Sequence, residues 1–174
     1  KVAKVEQKRL QKNPPTPLTT STLQQRANRG FGFSANQTMV LAQQLYEGIN
    51  LGKLGQVGLI TYMRTDSLNL SEQFLAETQN LIKEKFGTPY ANGAKRYQTK
   101  SKLTQEAHEA IRPTNAKLTP EDVRQYLDSR QFKLYDLIWR RTIASQMPPA
   151  EILNTAVDLQ DQDDYIFRTS GAVV

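Results

Sequence analysis

Two proline clusters divide this chain before any other feature does. Asn13-Pro14-Pro15-Thr16-Pro17 cannot continue a helix or a central strand, and Met147-Pro148-Pro149 stops whatever precedes it. They enclose a unit of about 15–148. Outside it, residues 1–12 carry Val2, Val5 and Leu10 among basic residues, an imperfect strand alternation. Two apolar runs at about 151–159 and 164–169 read as short strands. The expected domains are therefore 1–14, 15–148 and 149–174, with the outer segments pairing in a second domain of which this chain holds a part. The Asp161-Asp163-Asp164 run joins the last two strands, so it predicts a hairpin turn rather than a magnesium motif.

Between the prolines the pattern is mainly helical. Thr20 or Ser21 offers an N-cap for a helix to about Asn28, broken by Arg29-Gly30-Phe31-Gly32-Phe33. Asn36 is expected to cap a second helix, about 37–49, with Met39, Ala42, Leu45, Tyr46 and Ile49 as its apolar stripe. Two helices in close succession fit helix-turn-helix packing, and a plain small bundle fits them as well. Gly48 to Gly58 predicts a flexible turn into a strand at 58–62. Ser71 caps a helix over 72–86 that buries Phe74, Leu75, Thr78, Leu81 and Ile82 and ends at Gly87. Residues 88–104 show neither period and carry Lys95, Arg96, Lys100 and Lys102, which predicts a mobile basic loop. Thr119-Pro120-Glu121-Asp122 starts a helix to about Leu127. A last helix, about 130–146, puts Phe132, Tyr135, Trp139 and Ile143 on one face, with Trp139 as a core anchor. The fold class expected is mainly α within an α+β chain.

The stretch with chemical content is Gly58-Leu59-Ile60-Thr61-Tyr62-Met63-Arg64-Thr65-Asp66-Ser67. In an extended segment Tyr62 and Arg64, two residues apart, leave the same face. A phenol beside a guanidinium suits phosphate chemistry: the phenol oxygen attacks phosphorus, and the guanidinium holds the non-bridging oxygens. A free phenol keeps its proton until about pH 10, so such a nucleophile needs help. Spacing alone does not single out Tyr62 from the chain's 7 tyrosines. A tyrosine ending an apolar run is more often a packing residue.

That stretch resembles the active-site motif of type IA DNA topoisomerases. Three further stretches resemble the same family, in the family's order. They are Gln105-Glu106-Ala107-His108-Glu109-Ala110-Ile111-Arg112-Pro113-Thr114, Pro17-Leu18-Thr19-Thr20-Ser21-Thr22-Leu23-Gln24 and Leu134-Tyr135-Asp136-Leu137-Ile138-Trp139-Arg140. The resemblance implies a helical, winged-helix-like (CAP-like) tyrosine domain inserted in a β-rich arch domain. It implies Tyr62 as the nucleophile on a single-strand phosphodiester, Arg64 as stabiliser of the pentavalent phosphate, and His108 as a donor to phosphate oxygen. Thr61, Thr65 and Asp66 would line the same turn, with Asp66 orienting Arg64 or capping the following loop. Arg112 would bind DNA or brace the site, and Gln43 and Glu47 match family positions near the tyrosine. The implied reaction makes a 5′-phosphotyrosine link, passes a strand and religates, relaxing negative supercoils without ATP.

The resemblance also bounds cofactors and partners. In the family Mg²⁺ is held by a separate TOPRIM domain, and no stretch here resembles it. Glu106, His108 and Glu109 match no common zinc spacing. No metal is expected in this section of chain, and Mg²⁺ is expected for the full-length enzyme, so this section alone is expected to be inactive. The expected partners are single-stranded and negatively supercoiled DNA, together with the TOPRIM and other domains of the same enzyme.

Composition agrees without deciding. The chain has 174 residues, 23 Lys+Arg against 17 Asp+Glu and a formal net charge of +6, compatible with a nucleic-acid partner. It has no cysteine, which excludes disulfides and thiolate metal sites. No apolar run is long enough to cross a membrane. The expected location is the cytoplasm, at the nucleoid, and a start at Lys1-Val2-Ala3 suits a section of a longer protein. Two other readings compete: a winged-helix-like DNA-binding module without chemistry, and a recombinase or type IB enzyme. The second normally carries its nucleophile late in the chain, whereas Tyr62 precedes His108 and Arg112.

Overall fold

A computed structural model describes residues 1–97 and 109–174. The chain divides into two compact units, Lys1–Pro14 with Pro148–Val174, and Pro15–Met147.

The first unit is an antiparallel sheet of β1 (Val2–Lys12), β4 (Ala150–Gln160) and β5 (Ile166–Val173), in the order β1-β4-β5. The ladder β1–β4 runs from Val2↔Leu159 to Lys12↔Ala150, with one irregularity between Val2 and Lys4. The turn before β5 is longer than the sequence suggests. The Asp161 carboxylate accepts from the Asp163 N–H (2.8 Å) and the Tyr165 N–H (3.0 Å), and Asp164 takes a left-handed φ of 65°. The run 161–165 is thus wound into the turn, so β5 starts at Ile166 rather than 164 and continues to Val173. Arg168 grips Asp158 across the hairpin with two hydrogen bonds, 2.6 and 2.7 Å, and holds that carboxyl below the usual carboxylate range.

The second unit is helical. Helix α1 spans Thr20–Phe31, three residues beyond the expected end. Its cap is Thr19, which exchanges hydrogen bonds with Thr22 in a capping box. Gly30 is carried inside the last turn. Only at Gly32, φ 71°, does the helix stop, with Gly32 N–H on Asn28 O (2.8 Å) and Phe33 N–H on Ala27 O (3.4 Å). Ser34 rather than Asn36 caps α2 (Ala35–Glu47), its hydroxyl accepting from Gln37 N–H at 3.1 Å. The buried face of α2 is Thr38, Leu41, Ala42 and Leu45, rotated from the expected stripe. Tyr46 stays exposed, and Gly48 ends the helix before Ile49.

Ile49 instead opens a small ladder. β2 (Ile49–Asn50) pairs with β3 (Gln56–Val57), so the glycine-punctuated stretch is a hairpin. The strand expected at 58–62 does not form. Ile60 makes a single bridge to Pro113, whose missing N–H prevents a ladder from extending there. Helix α3 (Glu72–Phe86) has the expected Ser71 cap, buried face and Gly87 end. The described start of the expected basic loop is tied down. Gln146 bonds both backbone polar groups of Lys95 (2.9 and 3.1 Å), the Lys95 ammonium donates to the Met147 carbonyl, and Arg96 pairs with Glu72 (2.7 Å). Lys100 and Lys102 lie outside the described residues.

Helix α4 (Pro120–Val123) is only one turn and passes into a 3₁₀ turn, Arg124–Tyr126. Helix α5 (Ser129–Ser145) starts at the Asp128 cap and buries Leu134, Tyr135, Ile138, Trp139, Thr142 and Ile143. Phe132 is left half-buried under Arg124, 4.9 Å from its ring centre. The core of this unit joins α1, α2, α3 and α5 around Leu23, Leu45, Ile60, Met63, Ile82 and Ile138. Trp139 Nε1 donates to Ala116 O (2.9 Å), and Tyr135 Oη donates to Leu118 O (2.7 Å), with burial pushing the Tyr135 hydroxyl above the ordinary phenol range. Tyr135→Phe leaves the partly buried Leu118 carbonyl without this donor and should cost about 1–2 kcal/mol in urea unfolding followed by the single tryptophan, Trp139.

Candidate functional site

The stretch carrying Tyr62 is held from three directions. First, Leu59 N–H donates to the Leu45 carbonyl at the end of α2 (2.7 Å). This approach requires glycine at 58, because a Cβ there would stand 2.7 Å from the Tyr46 carbonyl oxygen. Second, the segment 110–114 runs alongside. Thr61 N–H donates to Arg112 O (2.9 Å), the Thr61 hydroxyl to Ala110 O (2.7 Å), and Thr114 N–H to Leu59 O (3.0 Å). Third, Thr20 at the start of α1 clasps the far side. Its hydroxyl donates to Met63 O (2.7 Å) and accepts from Thr65 N–H (2.9 Å), while its own N–H donates to Thr65 O (2.9 Å).

These anchors set an alternation without a strand. Met63, Thr65 and Ser67 turn inward, Met63 into the core at 1% exposure. Tyr62, Arg64 and Asp66 turn outward. Tyr62 is 43% exposed, and its ring meets Tyr46 edge-on, 5.3 Å between centres. Among the described residues, the side chains of Tyr62, Arg64 and Asp66 have no hydrogen-bond or ion-pair partner. Asp66 therefore neither orients Arg64 nor caps the loop. Capping falls to Thr65 and Ser67, whose hydroxyls accept from Ser67 N–H (3.0 Å) and Asn69 N–H (3.1 Å).

Arg64 and Met63 line one side of a cleft of about 480 Å³, and α2 supplies the other with Asn36, Met39, Val40, Gln43, Gln44 and Glu47. Gln43 Nε2 donates to Glu47 Oε1 at 2.5 Å. The structure thus brings Arg64, Gln43 and Glu47 together, with Tyr62 beside them against Tyr46. Thr61 and Thr65 serve the backbone. Arg112 is 9% exposed and occupied. It bonds Glu109 (2.5 Å) and the Pro113 carbonyl (2.8 Å) and stacks 4.1 Å above the Phe74 ring. Glu109 in turn accepts from the N–H of Ser71, the α3 cap, at 2.6 Å. Arg112 is thus placed to brace segment 109–114 against α3. His108 and Glu106 lie outside the described residues. Among the described residues no three acidic or imidazole side chains converge as metal ligands, and no helix is long and apolar enough to cross a membrane.

Sequence reasoning named Thr20, Tyr46, Gly58 and Glu109 but gave none of them its positioning role at this site. Glu109 was detectable as the i, i+3 partner of Arg112. The others depend on contacts between distant segments.

A family model described as DNA topoisomerase matches residues 1–174. The chain belongs to the bacterial type IA DNA topoisomerase family. It is 49% identical over 174 residues to DNA topoisomerase 1 of Xylella fastidiosa strain Temecula1, an alignment covering 99% of this chain and 21% of that protein. Against the same protein of strain 9a5c the identity is 48%, with the same coverage. The solved full-length topoisomerase I of Thermotoga maritima shares the fold at a TM-score of 0.78 and 44% identity, over 99% of this chain and 27% of that one. The chain thus spans about a fifth of the length of the curated relatives it matches.

Thr20 is the anchor best tested directly. Thr20→Val keeps its shape and removes the hydroxyl that holds Met63 and Thr65. The Thr65 amide should then exchange with solvent at least about fivefold faster, on the scale of about 1–3 kcal/mol for a stranded donor. Amide exchange within α3 should not change.

Proposed function

We propose that this chain carries the tyrosine half of the cleavage site of a type IA DNA topoisomerase. The observation that supports this most is the outward presentation of Tyr62 and Arg64, both without a hydrogen-bond or ion-pair partner among the described residues, by the inward anchors Met63 and Thr65. Tyr62 Oη attacks the phosphorus of a single-strand phosphodiester, forming the Oη–P bond and breaking the bond to the 3′ oxygen. The phenol loses its proton and the 3′ oxygen gains one. The product is a 5′-phosphotyrosine ester and a free 3′ hydroxyl, and attack by that hydroxyl reverses the step. Bond energy is conserved, so no ATP is consumed. Arg64 holds the non-bridging oxygens as charge builds on them. His108 is assigned as a second donor to phosphate oxygen, and Gln43 and Glu47 as the cleft wall facing the strand.

Among the described residues no cluster of acidic or imidazole side chains fits Mg²⁺. Mg²⁺ is assigned to a TOPRIM domain of the whole protein. Relaxation of negative supercoils likewise belongs to the whole protein, which needs a gate around DNA as well as this site.

In the full-length protein, Tyr62→Phe should abolish the covalent protein–DNA adduct trapped by denaturation. Single-strand binding should stay within a few-fold, since one hydroxyl contributes about 1 kcal/mol. Undiminished adduct would move the chemistry to another residue. A wild-type protein that binds DNA without forming any adduct would favour a binding module.

Arg64→Ala should slow cleavage by about a hundredfold or more, the scale of a lost preorganised donor. Arg64→Lys should recover little, because an ammonium lacks the planar fork. Equal losses in DNA affinity and cleavage rate would make Arg64 a ground-state anchor only.

A further inference from the structure

Packing of α2 does not account for Tyr46. The helix buries Thr38, Leu41, Ala42 and Leu45 and ends at Gly48, yet its last turn carries an aromatic ring outside the core, 41% exposed. That ring meets the Tyr62 ring with centres 5.3 Å apart and planes at 66°, the edge-on geometry that aromatic quadrupoles favour.

The backbone on either side fixes this meeting. Leu59 N–H donates to the carbonyl of Leu45, the residue before Tyr46 (2.7 Å). Gly58 passes so close to Tyr46 that a Cβ would stand 2.7 Å from the Tyr46 carbonyl oxygen. The stretch leading to Tyr62 therefore crosses the end of α2 at Tyr46 itself. Gln43, Tyr46 and Glu47 lie one helical turn apart and share a flank of α2. Gln43 and Glu47 line the cleft with Arg64, while Tyr46 meets Tyr62. A single flank of α2 thus serves both outward side chains, an amide–carboxylate pair for the guanidinium and a ring for the phenol.

The anchors at Thr61, Met63 and Thr65 hold the backbone around Tyr62 and leave its side-chain torsions free. A side chain held only at its Cα has three staggered χ1 wells. Contact with the Tyr46 ring selects among them. A nucleophile gains rate when its attack orientation is set before the substrate arrives.

We propose that Tyr46 is a positioning residue for Tyr62, whose ring it holds in the orientation from which the phenol oxygen meets phosphorus. This rests on the reading of Tyr62 as the nucleophile. Tyr46 contributes its ring and not its hydroxyl, and it acts through Tyr62 alone.

The test uses the full-length protein with Mg²⁺ and a labelled single-stranded oligonucleotide. The rate of adduct formation is measured at saturating DNA, and the dissociation constant for the same oligonucleotide by fluorescence anisotropy. Tyr46→Phe keeps the ring and should match wild type in both. Tyr46→Leu and Tyr46→Ala remove it at an exposed position and put strong helix formers in its place, so α2 is retained. Both should slow adduct formation about three- to tenfold, the scale of one lost rotamer choice and one lost ring pair. Their dissociation constants should stay within about twofold of wild type, since the contact lies within the protein.

This split between rate and affinity, with rescue by phenylalanine, is not produced by a general loss of structure. Wild-type rates in Tyr46→Ala and Tyr46→Leu would overturn the positioning role. Tyr46→Phe as slow as Tyr46→Ala would assign the effect to the hydroxyl and overturn it as well. So would a loss confined to DNA affinity, which would make the ring a strand contact. Adduct that persists in Tyr62→Phe, or that never forms in wild type, would instead overturn the functional reading beneath it.

Discussion

The hydroxyl of Thr20 is the contact on which the candidate site depends. It is placed at the first residue of α1 because Thr19, not Thr20, caps that helix through its box with Thr22. Freed from capping, Thr20 turns to the Met63–Thr65 backbone and satisfies three of its polar groups together with its own N–H. Those groups sit beside a packed core, where an unmet donor or acceptor is costly. The same contact forces Met63 and Thr65 inward, and therefore Tyr62 and Arg64 outward.

The exposed pair is thus a product of buried bonds on either side of it. Leu59 is fixed to the end of α2, Thr61 to segment 110–112, and Thr65 to α1. The Glu109–Arg112–Phe74 cluster then braces segment 109–114 on α3. Under the proposed reading this matters, because phosphoryl chemistry takes most of its rate from positioning and fixed charge on rigid elements.

Local signals were legible and long-range ones were not. Helix α3 was readable to both ends because Ser71 and Gly87 act within one turn of their own positions. Thr119 with Pro120 likewise marked the start of α4, and the aspartate run marked the turn before β5, though not where either element ends or begins. In the stretch 19–36 several Ser, Thr and Asn residues compete as caps, and the winners, Thr19 and Ser34, are chosen by packing that composition does not encode. The apolar run 58–62 looks like a strand, but its neighbour is Pro113, fifty residues away. Tyr62, Arg64, Gln43 and Glu47 could be named from motif alone. Whether Thr61 and Thr65 point outward or bond to backbone could not, since a threonine hydroxyl suits either use. Arg112 has the same ambiguity, settled in this structure by Glu109 and Phe74.

The bonds around Tyr62 join residues 43 to 51 positions apart. Contacts of that span close large loops, whose entropy must be overcome before they stabilise anything. Helices α1, α3 and α5 can begin forming from neighbours in sequence, whereas the Tyr62 turn has nothing to hold it until they have met. The geometry that displays the phenol is therefore a late event in folding and an early casualty of partial unfolding. A chain that has not finished folding carries the residue but not its presentation, so the outward display of Tyr62 is conditional on a completed fold.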